Sequence, residues 1–368
     1  MLYKKFGRTD IDVSSIGFGG MRFENIKDQD KCASLVKDAY EKGINYFDTA
    51  PLYFGGQSES AYGKAFAEMK KTREEKPFYV STKTFKSTDY EIREDLEYSL
   101  KRLQVDYIDF YHVWCLIRLD AYKKRVKNGV LDTFVKLKEE GLIKHICFSS
   151  HMNGKDTAEV LKDYPFDGVL LGYSAMNFAY REEALKAAAQ ANCAVVVMNP
   201  LGGGIIPQNP ELFSFLKNKE DETVVEAAIR FLMNDSRITL PLIGFSNTKE
   251  LDEAISGVDG FKPIPQERLE EKKANIPEIF NELCTSCCYC DKCPQKIAVP
   301  KLMDAYNHLA LTKNRKTMID RLKWHWQILN EHNIDACVEC GLCEKECTQK
   351  LPIIERLKEI HKIIKSGG

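Results

Sequence analysis

Three common features are missing from this sequence: a long hydrophobic run, an excess of one charge and an apolar N-terminal segment. No stretch reaches the roughly 18 apolar residues that a membrane-spanning helix needs, so we expect no membrane association. The 53 basic and 54 acidic residues leave a net charge of −1, which gives no reason to expect a nucleic-acid partner. The first residues, MLYKKFGRTDIDVSS, lack the apolar core of a secretory signal, so we expect a cytoplasmic protein.

Cysteine, in contrast, is abundant and unevenly placed. Nine of the 13 cysteines fall between Cys284 and Cys347 in a chain of 368 residues. In a cytoplasmic protein, clustered cysteines favour metal binding over disulfide bonds. The polar, proline-containing stretch before them reads as a linker. We therefore predict one domain over residues 1–260, a linker over 261–280 and a small, mainly helical domain over 281–368.

The larger part alternates eight short β-branched or aromatic runs with amphipathic helical stretches. The predicted strands begin at Ser14, Asn45, Phe78, Tyr107, His145, Gly168, Ala194 and Thr239. Most are apolar on both faces, as parallel strands covered by helices are. Eight β–α units over about 260 residues predict a closed (β/α)8 TIM barrel, an α/β fold. An open, doubly wound sheet is the alternative. It requires a Gly-x-Gly-x-x-Gly turn after the first strand, where the sequence reads GFGGMRF.

The clustered cysteines form two runs with similar spacing. The first reads CTSCCYCDKCP from Cys284, and the second reads CVECGLCEKECT from Cys337. The second has the bacterial ferredoxin spacing C-x2-C-x2-C-x3-C, in which the fourth cysteine of each run binds the other cluster. This rule predicts two [4Fe–4S] clusters, one on Cys284, Cys287, Cys290 and Cys347, the other on Cys337, Cys340, Cys343 and Cys293. Two zinc sites of four cysteines each are the alternative. Cys288 fits neither set and is expected to bind no metal.

Motifs in the barrel half resemble the aldo-keto reductase family. DTAPLY runs from Asp48 to Tyr53, Ser58-Glu59 follows, and Lys83 ends the third predicted strand. GFGGMR at 17–22 and PLGGG at 200–204 also match, so the resemblance covers residues 1 to about 258. Together with the cysteine-rich tail, the whole chain resembles an iron–sulfur subgroup of that family with a ferredoxin-like domain.

The resemblance implies that Tyr53 donates a proton to a substrate carbonyl oxygen while NADPH delivers hydride to the carbon. Tyrosine is a weak acid with a pKa near ~10. We expect the Lys83 ammonium to lower the pKa of Tyr53, and Asp48 to hold the lysine. A purely structural ion pair between Asp48 and Lys83 is the alternative.

One position departs from the family pattern. In the strand DYIDFYHVW, Trp114 stands where the resemblance places a catalytic histidine. An indole can donate one hydrogen bond but cannot relay a proton. His112 lies two residues earlier, so it faces the same way one layer deeper in the barrel. It could substitute for the missing histidine, or it could be a buried histidine that is already hydrogen-bonded.

The resemblance also implies which residues bind a dinucleotide cofactor, and this sequence matches the family pattern at only some of them. The expected cofactor-binding residues are Gly20, Met21, Arg22, Ser149, Ser150, Pro200, Leu201, Gly202, Gly244, Ser246, Asn247 and Lys249. Leu170 and Met198 replace residues that usually contact nicotinamide. The phosphate end lies after the eighth strand, where barrels often bind phosphate at the start of a helix. NADP(H) is the expected cofactor, and a flavin is the alternative. His151, close to the predicted mouth, is a further site candidate.

These expectations describe an oxidoreductase that reduces a small carbonyl or enone, with two [4Fe–4S] clusters for electron transfer. Clusters pass single electrons, whereas NADPH gives a hydride, so direct coupling requires a carrier such as a flavin. The clusters could act through a flavin, receive electrons from ferredoxin or another carrier, or only stabilise a small domain. The alternative function is a barrel without carbonyl-reductase chemistry that serves as a ferredoxin-linked electron-transfer or partner-binding module.

Overall fold

The computed structural model describes residues 1–176, 179–220, 222–330 and 332–366. The chain divides into two compact units, Met1–Asn275 and Ile276–Gly368. Within the described residues, no helix is long and apolar enough to cross a membrane.

The first unit is a closed barrel of eight parallel strands, which confirms the predicted α/β barrel. The strands are β3 (Gly17–Gly19), β4 (Tyr46–Asp48), β5 (Tyr79–Thr84), β6 (Ile108–Leu116), β7 (Ile143–Ser150), β8 (Gly168–Gly172), β9 (Ala194–Met198) and β10 (Leu240–Ile243). Neighbours in sequence pair in space, and β10 closes the barrel against β3. Their side chains are almost all buried, because helices cover the outer face.

A short hairpin of β1 (Tyr3–Lys5) and β2 (Asp12–Ser14) precedes the barrel. Phe6 follows β1 and is fully buried, with its ring centroid 4.0 Å from that of Phe110 and 5.9 Å from that of Tyr46. Tyr46 is the first residue of β4, so Phe6 fills the barrel at the N-terminal ends of the strands. The carboxyl ends are thereby left as the place for a site.

Helices connect the strands and cover them. In the first unit they are α1 (Gln29–Glu41), α2 (Gln57–Met69), α3 (Asp89–Leu103), α4 (Leu119–Lys127), α5 (Val130–Glu139), α6 (Gly154–Asp163), α7 (Glu182–Gln190), α8 (Ile205–Gln208), α9 (Val224–Met233), α10 (Thr248–Val258) and α11 (Gln266–Ala274). The helices begin at side-chain caps where the sequence supplies them, for example Thr223 before α9 with Glu226 completing a capping box.

The segment expected to be a linker, 261–280, differs from that expectation. It contains α11, and the first unit extends to Asn275. Leu269 is buried, and the Lys272 ammonium donates hydrogen bonds to the backbone carbonyls of Phe215, Leu216 and Lys217. The polar composition of the helix suggests a solvent-exposed linker. It gives no sign of these contacts, because the partners of Lys272 are main-chain carbonyls of the first unit.

The second unit is mainly helical where it is described. Its helices are α12 (Val299–Thr312), α13 (Arg315–Asp320), α14 (Leu342–Glu346) and α15 (Ile353–Lys365), with a π-helical turn at Arg321–His325. Its core joins aliphatic residues from α12 and α15 to three buried cysteines, Cys284, Cys290 and Cys347. The likeness of this unit to ferredoxins stays a prediction.

Candidate functional site

The centre of the barrel mouth is a buried ion pair between Asp48, the last residue of β4, and Lys83 in β5. Lys83 Nζ lies 2.6 Å from both carboxylate oxygens and donates a further hydrogen bond of 2.7 Å to the carbonyl of Thr49. All three ammonium protons are therefore engaged. Burial lowers the pKa of Lys83 and raises the pKa of Asp48, and the attraction between the two charges opposes both shifts.

A deeper hydrogen-bonded layer supports the carboxylate. Ser81 Oγ donates to Asp48 Oδ2 at 2.6 Å and lies 3.0 Å from His112 Nε2. Because the single hydroxyl proton goes to Asp48, the imidazole must donate from Nε2. His112 is fully buried, and burial followed by the charge of Lys83 holds the pKa of His112 well below its usual value. His112 is therefore a neutral imidazole that positions Asp48 through Ser81.

Tyr53 begins a 3-10 turn after β4. The centroid of its ring lies 5.6 Å from Lys83 Nζ, and its hydroxyl has no hydrogen-bond partner within the described part of the chain. The turn needs positive φ angles at Phe54, Gly55 and Gly56, of 51°, 64° and 90°. Gly55 and Gly56 adopt these angles without steric strain because they lack a Cβ, whereas Phe54 is strained.

The pKa of Tyr53 contradicts the sequence expectation. Burial raises the pKa well above its usual value, and the charges of Asp48 and Cys115 raise it further. The expected lowering by Lys83 fails because the carboxylate of Asp48, in direct contact with the ammonium, cancels most of its field. In this state Tyr53 is a protonated phenol.

Trp114 lies in β6 at an irregularity, since the pairing of β6 with β7 shifts register between Val113 and Leu116. Cys115 takes a φ of +58°, and its backbone N–H donates to Ser149 Oγ at 2.8 Å. The register shift is thus a β-bulge, a device that redirects side chains near active sites. Trp114 is 6% exposed.

Two neighbours hold the indole in place. The ring of Phe85 stacks on it with centroids 3.8 Å apart and an interplanar angle of 16°, and Tyr53 meets it edge-on at 5.9 Å.

Arg125 connects the ends of β5 and β6. Its guanidinium donates hydrogen bonds to the carbonyls of Trp114, Thr84 and Lys86 at 2.8, 3.0 and 2.8 Å. Burial lowers the pKa of Arg125 to about 10.

The two serines expected at the nicotinamide end behave differently. Ser149 accepts a hydrogen bond from Cys115 and keeps its own hydroxyl proton. Ser150 is bonded to Thr157 Oγ1 at 2.8 Å and accepts from the N–H of Met152 at 3.1 Å. Because side chains alternate along a strand, Ser149 faces the interior and Ser150 faces α6. The structure therefore brings Ser149 to the mouth and leaves Ser150 in a structural role.

At the phosphate end, α10 begins at a capped N-terminus. Asn247 Oδ1 accepts from the N–H of Glu250 at 3.1 Å, and Glu250 Oε2 accepts from the N–H of Ser246 at 2.8 Å. Ser246 Oγ donates to the carbonyl of Arg22 at 3.0 Å, and Lys249 is exposed. A phosphate at this helix start has to displace the Glu250 carboxylate, which the sequence did not reveal.

The glycines of the site fix close approaches between loops. A Cβ at Gly20 would meet Ser58 Oγ at 2.3 Å, and one at Gly244 would meet Arg22 Cγ at 2.5 Å. A Cβ at Gly202 would meet Met176 Sδ at 2.1 Å. The remaining predicted residues are Met21, which is exposed, Pro200, which is buried, and Leu201, which is half-buried. His151 is buried, and burial with the charge of Arg181 lowers its pKa to about 3.

In the second unit, each predicted set of four cysteines surrounds one cavity. Cys284, Cys287, Cys290 and Cys347 line one cavity, and Cys293, Cys337, Cys340 and Cys343 line the other. Cys288 also lines the first cavity. Within the described ranges, no three or more histidine, cysteine or acidic side chains converge to hold a single metal ion.

The two cysteine runs fold alike. Positive φ angles occur at Ser286 (53°) and Cys288 (63°) in the first run, and at Glu339 (52°) and Gly341 (72°) in the second. These residues immediately precede and follow the second cysteine of each run. Cys288 thus takes the backbone position that a glycine takes in the second run. The equal spacing of the first three cysteines produces the same local turn twice.

Sequence reasoning missed Ser81, Phe85 and Arg125. Ser81 precedes Lys83 by two residues, so the period of a strand places both on the inner face, and this signal was available. Arg125 gave no signal because its partners are backbone carbonyls. Phe85 gave none because its partner comes from the neighbouring strand.

His112→Leu tests whether this imidazole is neutral in the fold. A histidine whose pKa is lowered by folding takes up a proton more readily when unfolded, so wild-type stability falls as the pH drops below about 6.5. The leucine variant has no side chain at this position that can take up the proton, so it lacks this loss of stability. Relative to the variant, wild type should lose about 2 kcal/mol of unfolding free energy between pH 7 and pH 5, at ~1.4 kcal/mol per unit. Urea denaturation at several pH values measures the difference, and a pH-independent difference contradicts the assignment.

Comparisons with known proteins agree with the barrel. The sequence profile described as "Aldo/keto reductase family" matches residues 15–271, so the cysteine runs lie beyond the matched range. L-galactose dehydrogenase of Arabidopsis thaliana is 25% identical over 315 residues, covering 76% of this chain and 95% of its own length. Probable aldo-keto reductase 1 of Glycine max is 26% identical over 301 residues, covering 69% and 83%.

Solved structures show the same fold. The holo form of an aldo-keto reductase from Bacillus halodurans matches with a TM-score of 0.65 and 24% identity, covering 75% of this chain and 97% of its own. Because the family profile covers more than half of the chain, and the barrel agrees with it, this protein belongs to the aldo/keto reductase family and is an oxidoreductase of that type.

Proposed function

We propose that the barrel reduces a carbonyl or enone group of a small molecule, with NADPH as the hydride donor. The observation that carries this proposal is the buried Asp48–Lys83 pair beside Tyr53. A buried ion pair is weak evidence for stability, whereas perturbed ionisable groups cluster at functional sites. Tyr53 adds a proton donor at the same place.

In this proposal, the residues of this chain supply the proton and hold the proton donor in position. The Tyr53 hydroxyl is free to donate to a substrate oxygen, and its raised pKa keeps it protonated until that oxygen gains negative charge. Lys83 uses its protons on Asp48 and Thr49, and it thereby anchors the Asp48 carboxylate beside Tyr53. Ser81 and His112 keep Asp48 in position.

The cofactor residues fit NADPH in part. When bound, NADPH supplies a hydride, two electrons at once. Ser149 has a proton to offer an amide oxygen, and Lys249 offers positive charge beside the start of α10. A flavin, whose phosphate would use the same helix start, is the alternative cofactor. Trp114 offers an apolar surface and one indole N–H, which suits a conjugated substrate better than a proton relay does.

We further propose that each cavity of the second unit holds one [4Fe–4S] cluster, which when bound supplies single electrons. Zinc requires four sulfurs about 2.3 Å from one point, whereas a cubane is held by thiolates around a cavity. Backbone N–H groups also donate to the sulfurs, from Ser286 to Cys284 Sγ and from Leu351 to Cys347 Sγ, both at 3.4 Å. Such bonds tune the potentials of clusters.

Tyr53→Phe tests the proton donor. Removing the hydroxyl should lower kcat for reduction of 4-nitrobenzaldehyde by at least about 100-fold, since positioned acids contribute that much. Tyr90→Phe is the matched control, because Tyr90 is 74% exposed on α3. The stabilisation of both variants by NADP⁺ should equal that of wild type. A rate unchanged in Tyr53→Phe would remove Tyr53 from the mechanism.

Cys340→Ala and Cys288→Ala test the cluster ligands. Both cysteines are exposed and both lie in the runs, so they form a matched pair. Anaerobically purified wild type and Cys288→Ala should each contain about eight iron atoms, whereas Cys340→Ala should contain fewer, toward about four. Iron and sulfide analysis measures this. Zinc in place of iron, without visible absorption bands, contradicts the cluster assignment.

A second function, an electron-transfer or partner-binding module, is favoured by one observation. Trp114, Leu170 and the engaged hydroxyl of Ser150 leave few usual contacts for nicotinamide. The module predicts that NADP⁺ does not raise the melting temperature. The reductase predicts that it does, because a ligand that binds only the folded state stabilises it.

Visible spectra before and after NADPH then define the role of the clusters. Bleaching of the cluster bands is expected if a flavin or equivalent carrier connects the cofactor to the clusters. Bands that persist assign the clusters to ferredoxin-linked transfer or to a structural role. An absorption spectrum of the released cofactors shows whether a flavin is present.

A further inference from the structure

The second unit carries a one-sided charge distribution. Residues 299–330 contain six basic and two acidic residues, in a chain whose net charge is −1. Arg321 is neutralised, since its Nε lies 2.8 Å from Asp304 Oδ2. Four further cations, Lys313, Arg315, Lys316 and Lys323, are exposed.

These four cations have no ion-pair partner among the described residues. Other lysines of the unit do, since Lys358 contacts Glu339 at 2.7 Å and Lys365 contacts Asp335 at 3.5 Å. The four lie at the end of α12, in α13 and in the π-helical turn, which follow one another in the chain. From Lys313 to Lys323 the chain has five basic residues and one acidic residue, Asp320. Such an excess of cations creates a positive potential that attracts an acidic surface.

An exposed tryptophan stands within this group. Trp324 is 69% exposed in the π-helical turn, and Lys323 Nζ lies 4.6 Å from its ring centroid. Tryptophan is enriched among the residues that dominate binding energy in interfaces, and π-helical turns occur often at functional sites. We call Lys313, Arg315, Lys316, Lys323 and Trp324 the basic face.

The basic face is tied to the wall of a cluster cavity. Asp304 Oδ2 accepts from Arg321 Nε at 2.8 Å and from Trp326 Nε1 at 2.7 Å, which fixes the π-helical turn on α12. Met303, the preceding residue of α12, lines the cavity of Cys284, Cys287, Cys290 and Cys347. A molecule bound at the basic face would therefore contact the helix that borders this cavity.

We propose that the basic face docks an acidic, one-electron carrier protein of the ferredoxin type; this rests on the clusters of the proposed function. The carrier is acidic because the face is basic and its cations are unpaired. It is a one-electron carrier because an iron–sulfur cluster accepts single electrons. In each encounter the reduced carrier loses one electron, an oxidised cluster of this chain gains it, and no bond forms or breaks.

Charge reversal provides the test. Lys316→Glu/Lys323→Glu should weaken binding to a purified acidic two-cluster ferredoxin at least tenfold, measured by calorimetry at low salt. Wild-type affinity should fall steeply with added salt. Lys162→Glu/Lys186→Glu on the barrel makes the same change of net charge at exposed positions and should bind as wild type does. Trp324→Ala, which changes no charge, should also weaken binding at least tenfold.

Stopped-flow bleaching by reduced ferredoxin supplies the second readout. The charge-reversal variant should accept electrons at least tenfold more slowly at limiting ferredoxin, while its iron content and its reduction by dithionite stay as in wild type. Variants that bind ferredoxin and accept its electrons like wild type overturn the proposal. So does a DNA duplex that binds the same face more tightly than ferredoxin. Wild-type protein without iron overturns the cluster assignment itself, a separate result.

Discussion

The Asp48–Lys83 pair is the contact on which the arrangement of the barrel mouth depends. Removing one partner of a buried pair typically costs about 3–5 kcal/mol, because the other charge is left without compensation. Three acceptor oxygens surround Lys83 Nζ, and Ser81 with His112 completes the bonding of the carboxylate. The strand ends that carry these groups are therefore held in one arrangement, and Tyr53 is presented above them.

The β-bulge in β6 is the second determinant of the mouth. It places Trp114 between Phe85 and Tyr53, and it uses the Ser149 hydroxyl to bind the backbone of Cys115. Arg125 donates to the carbonyl of Trp114 in the irregular strand and to those of Thr84 and Lys86 at the end of β5, although it bears a charge that burial makes costly. Several contacts therefore build the Trp114 indole into the site.

The second unit depends on its cysteines in a different way. Three of them belong to its core, beside aliphatic residues of α12 and α15. A unit of this size buries a small core, and small domains commonly need a metal or disulfide to fold stably. Under the proposed function, clusters in the cavities that the cysteines line would also hold the two runs together.

The order of strands and helices in the barrel follows from hydrophobic periodicity along the chain, and the motifs that resemble the family point to Asp48, Tyr53 and Lys83. The spacing of the cysteines assigns them to two sets, which stays a prediction. Tertiary structure alone decided the rest. Which way Ser150 faces, that Glu250 caps α10, and that Arg125 binds three carbonyls depend on groups brought together from distant positions. The raised pKa of Tyr53 also depends on tertiary structure, because it results from burial and from the negative charge of Asp48, which no local sequence pattern encodes.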